Sequence, residues 1–523
     1  MMITRYAPGG AVAAANHLAA AVGTTVLARG GNAVDAAIAA GAVMAVTSPH
    51  MCGLGGDLFA MIARAGETPV ALNASGRAGS GARADRLRAE GALEMPFQHD
   101  VRSITVPGCV DGWAALHERF GTLELAELLA PAQGFATDGF PVSPTLAQAS
   151  LALDPHERKL AFGSPAPLVP GRRLVLPQIG DAVSAIAARG RAGFYEDAVG
   201  QELIAMGEGE FTEKDLRTPQ ADWVDPLSLR AFGHDLWAIP PNSQGYLVLA
   251  SVWMAERIGL PDDPADERWA FLLVEAARHA AFDRSATLFE HADGAALVAA
   301  ERLLPRVAAI GESASRGLAD VYEPGDTTYI CAVDRDRTGV SLIMSNAADF
   351  GSRLVLPRHG IFLHNRGMGF SLQPGHPAEY GPHRRPPHTL TPLLVTDPAG
   401  ALNTVIGTMG ADAQPQVLLQ LLVRLLALHQ DPGEAVAAPR WVLSRESANG
   451  FDTWNLDAPP LVRLEPGAPA AWSRGLRDRC YQVIKSPPGA QDFGHAQVIH
   501  ITDDGMLAGA ADPRAGDGAF SGC

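Results

Sequence analysis

The chain has 523 residues, 47% of them hydrophobic and 19% charged. That is enough for a large core in one layered domain or two lobes, and it excludes a disordered chain. A formal net charge of -16 argues against a nucleic-acid partner, which needs a basic face, and the scattered Cys52, Cys109, Cys331, Cys480 and Cys523 form neither a disulfide framework nor a CxxC zinc knuckle.

At the N-terminus, Asn16, His17, Arg29, Asn32 and Asp35 interrupt alanine-rich stretches. This leaves no unbroken apolar run of the kind a signal peptide or a membrane helix requires, and a cytoplasmic protein is expected. Residues 11–47 read as two alanine-rich helices split at Gly30-Gly31-Asn32, with Asn32 as N-cap of the second and Asp35 in its first turn. Gly53-Leu54-Gly55-Gly56 predicts a tight structural turn; it lacks the spacing and the Lys-Ser/Thr ending of a phosphate loop. A strand from Leu58 to Ala63 should follow and pair with Pro69 to Asn73. Helical periodicity dominates residues 110–300, for example Glu124 to Thr137, Gln178 to Ala188 and Trp269 to Asp283.

After residue 326 the texture becomes strand-rich. Thr328 to Asp334 and Gly339 to Ser345 predict a hairpin closed by the charged turn Arg335-Asp336-Arg337-Thr338. Thr389 to Asp397 and Leu402 to Gly407 repeat the pattern. Helices are predicted at 413–428 and 432–438, and final strands at 496–502 and 506–510. Strands at both ends of the chain with helices around them predict a layered α/β (α+β) sandwich in which front and back parts share sheets. Thr327 heads the first of the late strands, after a loop containing Pro324, Gly325 and Asp326. A threonine there has two readings, an ordinary strand start or a self-cleaving nucleophile. Cleavage between Asp326 and Thr327 would free an α-amino group that can serve as base for the Thr327 hydroxyl. Ser345 and Asn346 end the second strand and should approach Thr327. His359, His364, His376, His383 and His388 crowd one region, but their spacing matches no ligand pattern, and no metal is expected. No GxSxG is present to suggest a serine hydrolase.

The ordered motifs "GGNAVDAAIAAGAV" at 30–43, "GLGGDLF" at 53–59, "SITVPGCVDGW" at 103–113, "DTTYICAVDRD" at 326–336, "FGSRLVLPRHGIFLHNRG" at 350–367, "RRPPHTLTP" at 384–392, "GTMGADAQPQ" at 407–416, "APRW" at 438–441 and "GAADPRAGDG" at 509–518 cover nearly the whole chain. In them the sequence resembles the γ-glutamyltransferase family of N-terminal-nucleophile hydrolases. The resemblance implies a four-layer αββα sandwich and autocleavage before Thr327. It implies a large subunit 1–326 and a small subunit 327–523, intertwined in one globular domain as a heterodimer, with a further homo-oligomer left open. No cofactor is implied, and the partner would be a small-molecule amide or γ-glutamyl substrate.

By the same resemblance Thr327 acts twice, first on the Asp326 carbonyl and then on substrate, and Ser345 and Asn346 support it. The family's two adjacent oxyanion-hole glycines correspond to Gly410 and Ala411. The family's carboxylate-binding arginine falls on Ser75, with Arg77 two residues on, and its paired serines become His388 and Thr389. Where the family places an acid for the substrate ammonium, this chain has Gly369, and Arg366 adds positive charge. An arginine suits a carboxylate; its alternative here is a buried salt bridge to Asp57 or Asp412. The "NRG", "GRAG" and "DAQPQ" pattern looks like the branch that includes oxamate amidohydrolase and related acylases. Three readings follow. The first is a self-processing threonine amidohydrolase cleaving a small carboxylate-bearing amide. The others are a true γ-glutamyltransferase or glutathione hydrolase, and an unprocessed relative that only binds ligand.

Overall fold

The computed structural model describes residues 3–315, 318, 327–444 and 461–523. Strands Thr328–Val333 and Gly339–Ser345 form the expected hairpin, with Thr328 opposite Met344 and Val333 opposite Gly339. Their outer edges are taken by strands from the front of the chain, Ala11–Ala14 on one side and Asp57–Ala63 on the other. The full seven-stranded sheet runs Ala519–Gly522, Ala11–Ala14, Thr328–Val333, Gly339–Ser345, Asp57–Ala63, Val70–Ala74, Asp222–Val224. A second seven-stranded sheet runs Arg5–Ala7, Leu507–Ala511, Ala496–Ile501, Leu402–Thr408, Leu393–Thr396, His234–Ala238, Leu227–Ala231. Both sheets interleave strands from before and after the expected cleavage site.

Side-chain alternation explains why the two sheets stack. In a strand, successive residues face opposite sides. Tyr329, Cys331 and Val333 point between the sheets, where they meet Phe59, Met61, Val405 and Ile499. Ile330 and Ala332 point the other way, with Leu58, Ala60 and Ile62, into a core shared with helices His17–Ala28, Ala33–Thr47 and Cys109–Phe120. The second sheet turns Ile406 and Val498 outward to helices Gly245–Arg257, Glu267–Ala281 and Gln414–Leu426. A strand apolar on both faces is what a sheet buried on both faces requires. The result is four layers, αββα, in a mixed α/β fold. The two sheets come close at Gly407, where a Cβ would stand 2.2 Å from the Tyr329 ring.

The hairpin, the Gly53–Gly56 turn and the helices near 124, 178, 269 and 414 stand close to their expected bounds. Asn32 caps its helix through a capping box with Asp35. Other expectations need correcting. Ala11–Ala14 is a strand, not the start of a helix. It is buried between two partner strands, and that pairing outweighs alanine's local helical preference; the helix starts only after Asn16, whose side chain accepts from the Leu18 amide at 2.9 Å. The region read as helical also holds strands Asp222–Val224, Leu227–Ala231 and His234–Ala238. The latter two turn at Phe232-Gly233, with φ of 49° and 77°, a left-handed pair of the kind two-residue hairpins use. The final strand Ala519–Gly522 was not foreseen. The strand expected from Thr389 starts at Leu393, because side chains occupy the preceding backbone: Gln244 donates to the Thr389 carbonyl at 2.9 Å, and the Thr391 amide donates to Gln414 at 3.0 Å. Among the described residues, no helix is long and apolar enough to cross a membrane.

Candidate active site

Sheet register builds the centre of the site. Thr328 faces Met344, so one step back sets Thr327 opposite Ser345, and Ser345 is itself opposite Asp57 in the next strand pair. Odd-numbered positions here face the space between the sheets. Thr327, Ser345 and Asp57 thus form a polar row at the end of an otherwise apolar layer. Thr327 Oγ1 donates to Ser345 Oγ at 3.1 Å, with both side chains buried. The Ser345 oxygen also accepts the Ala347 amide at 2.8 Å. Asn346 is held at the same strand end, its amide donating to the Met51 carbonyl and its Nδ2 to the Pro49 carbonyl, both at 3.1 Å. Its buried Oδ1 has no protein hydrogen-bond partner. Asp326, on the other side of the expected scissile bond, lies outside the described residues.

The second sheet contributes the Met409-Gly410-Ala411 turn, which leads into helix Gln414–Leu426. Gly410 has φ 128° and Ala411 φ 43°, the left-handed region that L-residues seldom enter. The Ala411 carbonyl is tied to Gln244 Nε2 at 2.9 Å. Ala347, Ala348, Met368 and Ala411 pack together as one small apolar cluster. That cluster joins the loop after Ser345, the 366–369 turn and the Gly410 turn.

One wall is polar and buried. His388 Nε2 lies 3.2 Å from Asp57 Oδ2, and its ring stands edge-on to Phe59. Its Nδ1 accepts the Leu390 amide at 3.3 Å, so the Nε2–H donates to Asp57. The other Asp57 oxygen accepts the amides of Gly76 at 3.0 Å and Gly108 at 3.2 Å. Ser75 sits beside Asp57, bonded to Asn73 at 2.8 Å and receiving Asn242 Nδ2 at 3.2 Å. Thr389 Oγ1 is buried without a protein partner. Arg77 turns away, to Asp222 at 2.6 Å and Glu290 at 3.8 Å, so the structure does not bring it to the row. Arg366 is buried. Burial lowers its pKa to about 10, while the Asp57 and Asp412 carboxylates pull it back up; the guanidinium remains charged at neutral pH. Both alternative salt-bridge partners therefore act on it. Asp412 also pairs with Arg284 at 2.6 Å.

Sequence reasoning missed several of these groups as site residues: Asn73, Asn242, Gln244 and Arg284, and with them His364, whose Nδ1 accepts the Arg366 amide at 3.0 Å. Asp57 was weighed only as a salt-bridge partner, yet it stands in the row itself. A charged residue heading the apolar strand "DLFAMIA" is the signal that could have found it, since a buried carboxylate needs specific partners. A cavity of about 810 Å³ opens beside the loop that follows Asn346, and none of Thr327, Ser345 and Asp57 lines it. Met51, whose carbonyl accepts the Asn346 amide, and His495, whose carbonyl accepts the Met409 amide, form part of its wall, together with His50, Ala348, Asp349 and Arg353. Among the described residues, no group of three or more His, Cys, Asp or Glu side chains is arranged to hold a metal.

Buried imidazoles give the fold an acid-side weakness. Burial pushes His388 down to about 3, helped by the nearby Arg366 charge, and pushes His50 to about 3 and His495 to about 4. Their folded pKa values lie below the unfolded value near 6.5, so the unfolded chain binds protons first as pH falls. Stability is full above about pH 6.5 and declines as pH drops toward the folded values. The melting temperature should fall steadily from pH 6.5 to 4, and His388→Gln should flatten part of that slope. A melting temperature constant over this range would contradict the neutral buried histidines.

Comparison with known proteins follows the same outline. Residues 19–522 match the family model described as gamma-glutamyltranspeptidase. The chain is 33% identical to the glutathione hydrolase-like YwrD proenzyme of Bacillus subtilis, over 98% of each chain. It is likewise 33% identical to the oxamate amidohydrolase proenzyme of Klebsiella pneumoniae, over 98% of each. The solved structure of a cephalosporin acylase from Bacillus halodurans superposes with a TM-score of 0.89 at 30% identity, covering 100% of this chain and 97% of that one. On this match and this fold, the protein is an enzyme belonging to the γ-glutamyltranspeptidase family.

Proposed function

We propose that the protein is a self-processing threonine amidohydrolase that cleaves an amide whose acyl part carries a carboxylate. The observation that carries this reading is the buried 3.1 Å hydrogen bond from Thr327 Oγ1 to Ser345 Oγ, at a strand end where Ser345 stands opposite Asp57. In the first reaction the Thr327 oxygen attacks the Asp326 carbonyl carbon. The peptide C–N bond breaks, an ester forms, and water hydrolyses it to an Asp326 carboxylate and a free Thr327 amine. In the second, that amine takes the hydroxyl proton as the oxygen attacks the substrate amide. The amine product leaves and water resolves the acyl-enzyme. Backbone amides of Gly410 and Ala411 are assigned to the oxyanion. Arg366, with His388, Thr389 and Ser75, is assigned to the acyl group, and Arg77 to a supporting ion pair.

Several relatives carry the name proenzyme, which supports processing. The cavity of about 810 Å³ is of the size that takes a drug-sized molecule. The buried, unpaired thiols Cys52, Cys109 and Cys331 agree with a reducing, cytoplasmic compartment. The test is direct. Freshly purified protein should separate under denaturation into chains of 326 and 197 residues, the smaller beginning with Thr327 by intact mass. It should also hydrolyse at least one amide in a panel of oxamate, glutaryl and γ-glutamyl compounds. One whole chain without turnover would favour the ligand-binding reading.

A further inference from the structure

The Met409-Gly410-Ala411 turn is held by more than its own backbone. Two contacts place it at the Thr327 end of the sheets. Tyr329, two residues after Thr327, has its ring against Gly407. Ala411 packs with Ala347 and Ala348, and the Ala347 amide donates to the same Ser345 oxygen that accepts Thr327. Each carbonyl of the turn has a partner. The Met409 carbonyl accepts the Thr408 hydroxyl at 2.7 Å, the Gly410 carbonyl accepts the Ala413 amide at 2.8 Å, and the Ala411 carbonyl accepts Gln244 Nε2 at 2.9 Å. The same Nε2 donates to the Thr389 carbonyl at 2.9 Å. Gln244 is itself anchored, its amide donating to the His388 carbonyl at 3.0 Å, and Thr408 and Gln244 are both fully buried. The amides of Gly410 and Ala411, by contrast, donate to no protein acceptor among the described residues.

The carbonyl partners decide where these two amides point. A trans peptide is planar, and its N–H points away from the C=O in the same plane. Tying the Met409 carbonyl to Thr408 therefore aims the Gly410 N–H in the opposite direction, and the bonded Gly410 carbonyl does the same for the Ala411 N–H. Ala411 is the weak point of the turn. With φ of 43° it occupies the left-handed region that a Cβ disfavours and that glycine enters freely. Gln244 holds the peptide just beyond it, so Ala411 cannot relax to negative φ without breaking a buried hydrogen bond. A donor aimed at a developing oxyanion contributes most when it stands ready before the reaction.

Resting on the threonine amidohydrolase reading, we propose that Thr408 and Gln244 are positioning residues that orient the Gly410 and Ala411 amides toward the oxyanion. Neither takes a proton or touches the substrate. Gln244 stands before the expected cleavage site and the turn after it, so the front part of the chain completes an oxyanion site built on the back part. The Gln244 bond is what keeps the turn in shape with alanine, rather than glycine, at 411.

The test uses the whole purified protein and the amide from the oxamate, glutaryl and γ-glutamyl panel that the wild type hydrolyses fastest. Rates are counted per mole of chain beginning with Thr327, and melting temperatures confirm that each variant is folded in the assay. Thr408→Val keeps the side-chain shape and removes the hydroxyl. It should lower kcat on the order of 10- to 100-fold, as expected when an oxyanion donor is misaimed rather than deleted, with KM within about threefold of wild type. Thr408→Ser, which keeps the hydroxyl, should recover most of kcat. Gln244→Glu sets a carboxylate against two carbonyl oxygens. Burial raises the pKa of such a group, and only its protonated form has a hydrogen to donate. Its kcat relative to wild type should therefore be lowest at about pH 8 and climb severalfold by about pH 6, whereas Gln244→Ala should stay low throughout. A packing role alone gives neither the hydroxyl rescue nor this pH dependence. Wild-type kcat in both Thr408→Val and Gln244→Ala overturns the positioning role and leaves the amidohydrolase reading intact. A loss confined to KM, or one that only tracks unfolding, overturns it too. A wild-type protein that hydrolyses none of the amides removes the amidohydrolase reading itself, and the positioning role with it.

Discussion

Thr327→Ala should yield one uncut chain with no amidase activity. The substitution removes the oxygen that performs both reactions, and no neighbour can replace it: Ser345 Oγ accepts from Thr327 and from the Ala347 amide and has no terminal amine of its own. Loss of a catalytic nucleophile typically costs on the order of 10⁴- to 10⁶-fold in kcat. Stability should change little, because only a hydroxyl and a methyl group are lost at a strand end, about 1 kcal/mol by the usual range for such changes. A folded but uncut product is therefore the expected form, and melting curves alongside the gel separate it from a misfolded one. Ser345→Ala should slow both steps by a smaller factor, about 10²-fold, as expected for a group that supports rather than performs the transfer. A Thr327→Ala protein that still splits after Asp326 would sink the assignment.

The second large effect concerns the acyl group. Glutaryl-p-nitroanilide and γ-glutamyl-p-nitroanilide differ only in an α-amino group. The enzyme should prefer the glutaryl compound, because Arg366 stands buried in the wall of the site and remains charged. An ammonium about 4 Å from a guanidinium meets a repulsion of ~1–4 kcal/mol, depending on the local dielectric. That corresponds to roughly ten- to a thousand-fold in kcat/KM. Asp57 is a carboxylate that acts on Arg366 and could offset this, and it is already committed to His388, Gly76 and Gly108. Burial opposes its ionisation, but His364, the His388 hydrogen bond and the Gly76 amide hold the carboxyl low, at about 2. The second carboxylate near Arg366, that of Asp412, is paired with Arg284. The four buried charges balance, leaving no surplus of negative charge for an ammonium. Arg366→Gln should erase most of the preference. A clear preference of the unaltered enzyme for the γ-glutamyl compound would overturn this and make Asp57 the ammonium site.

Local pattern was enough for a large part of this molecule. Two short runs within Thr328–Ser345, separated by one charged turn, determined the central hairpin, because a turn between strands is a property of neighbouring residues; which residues face the second sheet was left to packing, since both faces of the hairpin are apolar. Asn32 with Asp35 determined a helix start, since a cap needs only residues three apart. The order of motifs along the chain pointed to the family and, through it, to Thr327. What the sequence could not decide is whatever depends on residues distant in the chain. Ala11–Ala14 is helical by composition and becomes a strand because Ile330–Val333 pairs with it from the far side of the molecule. Asp57 is an ordinary strand-heading acid until register sets Ser345 beside it and His388 above it. Arg366 reads from sequence as a cation awaiting a carboxylate; only the fold surrounds it with Asp57, Asp412 and Arg284, and so decides how much of its charge a substrate can feel. Pairing register and burial are collective results of packing, and no window of sequence contains them.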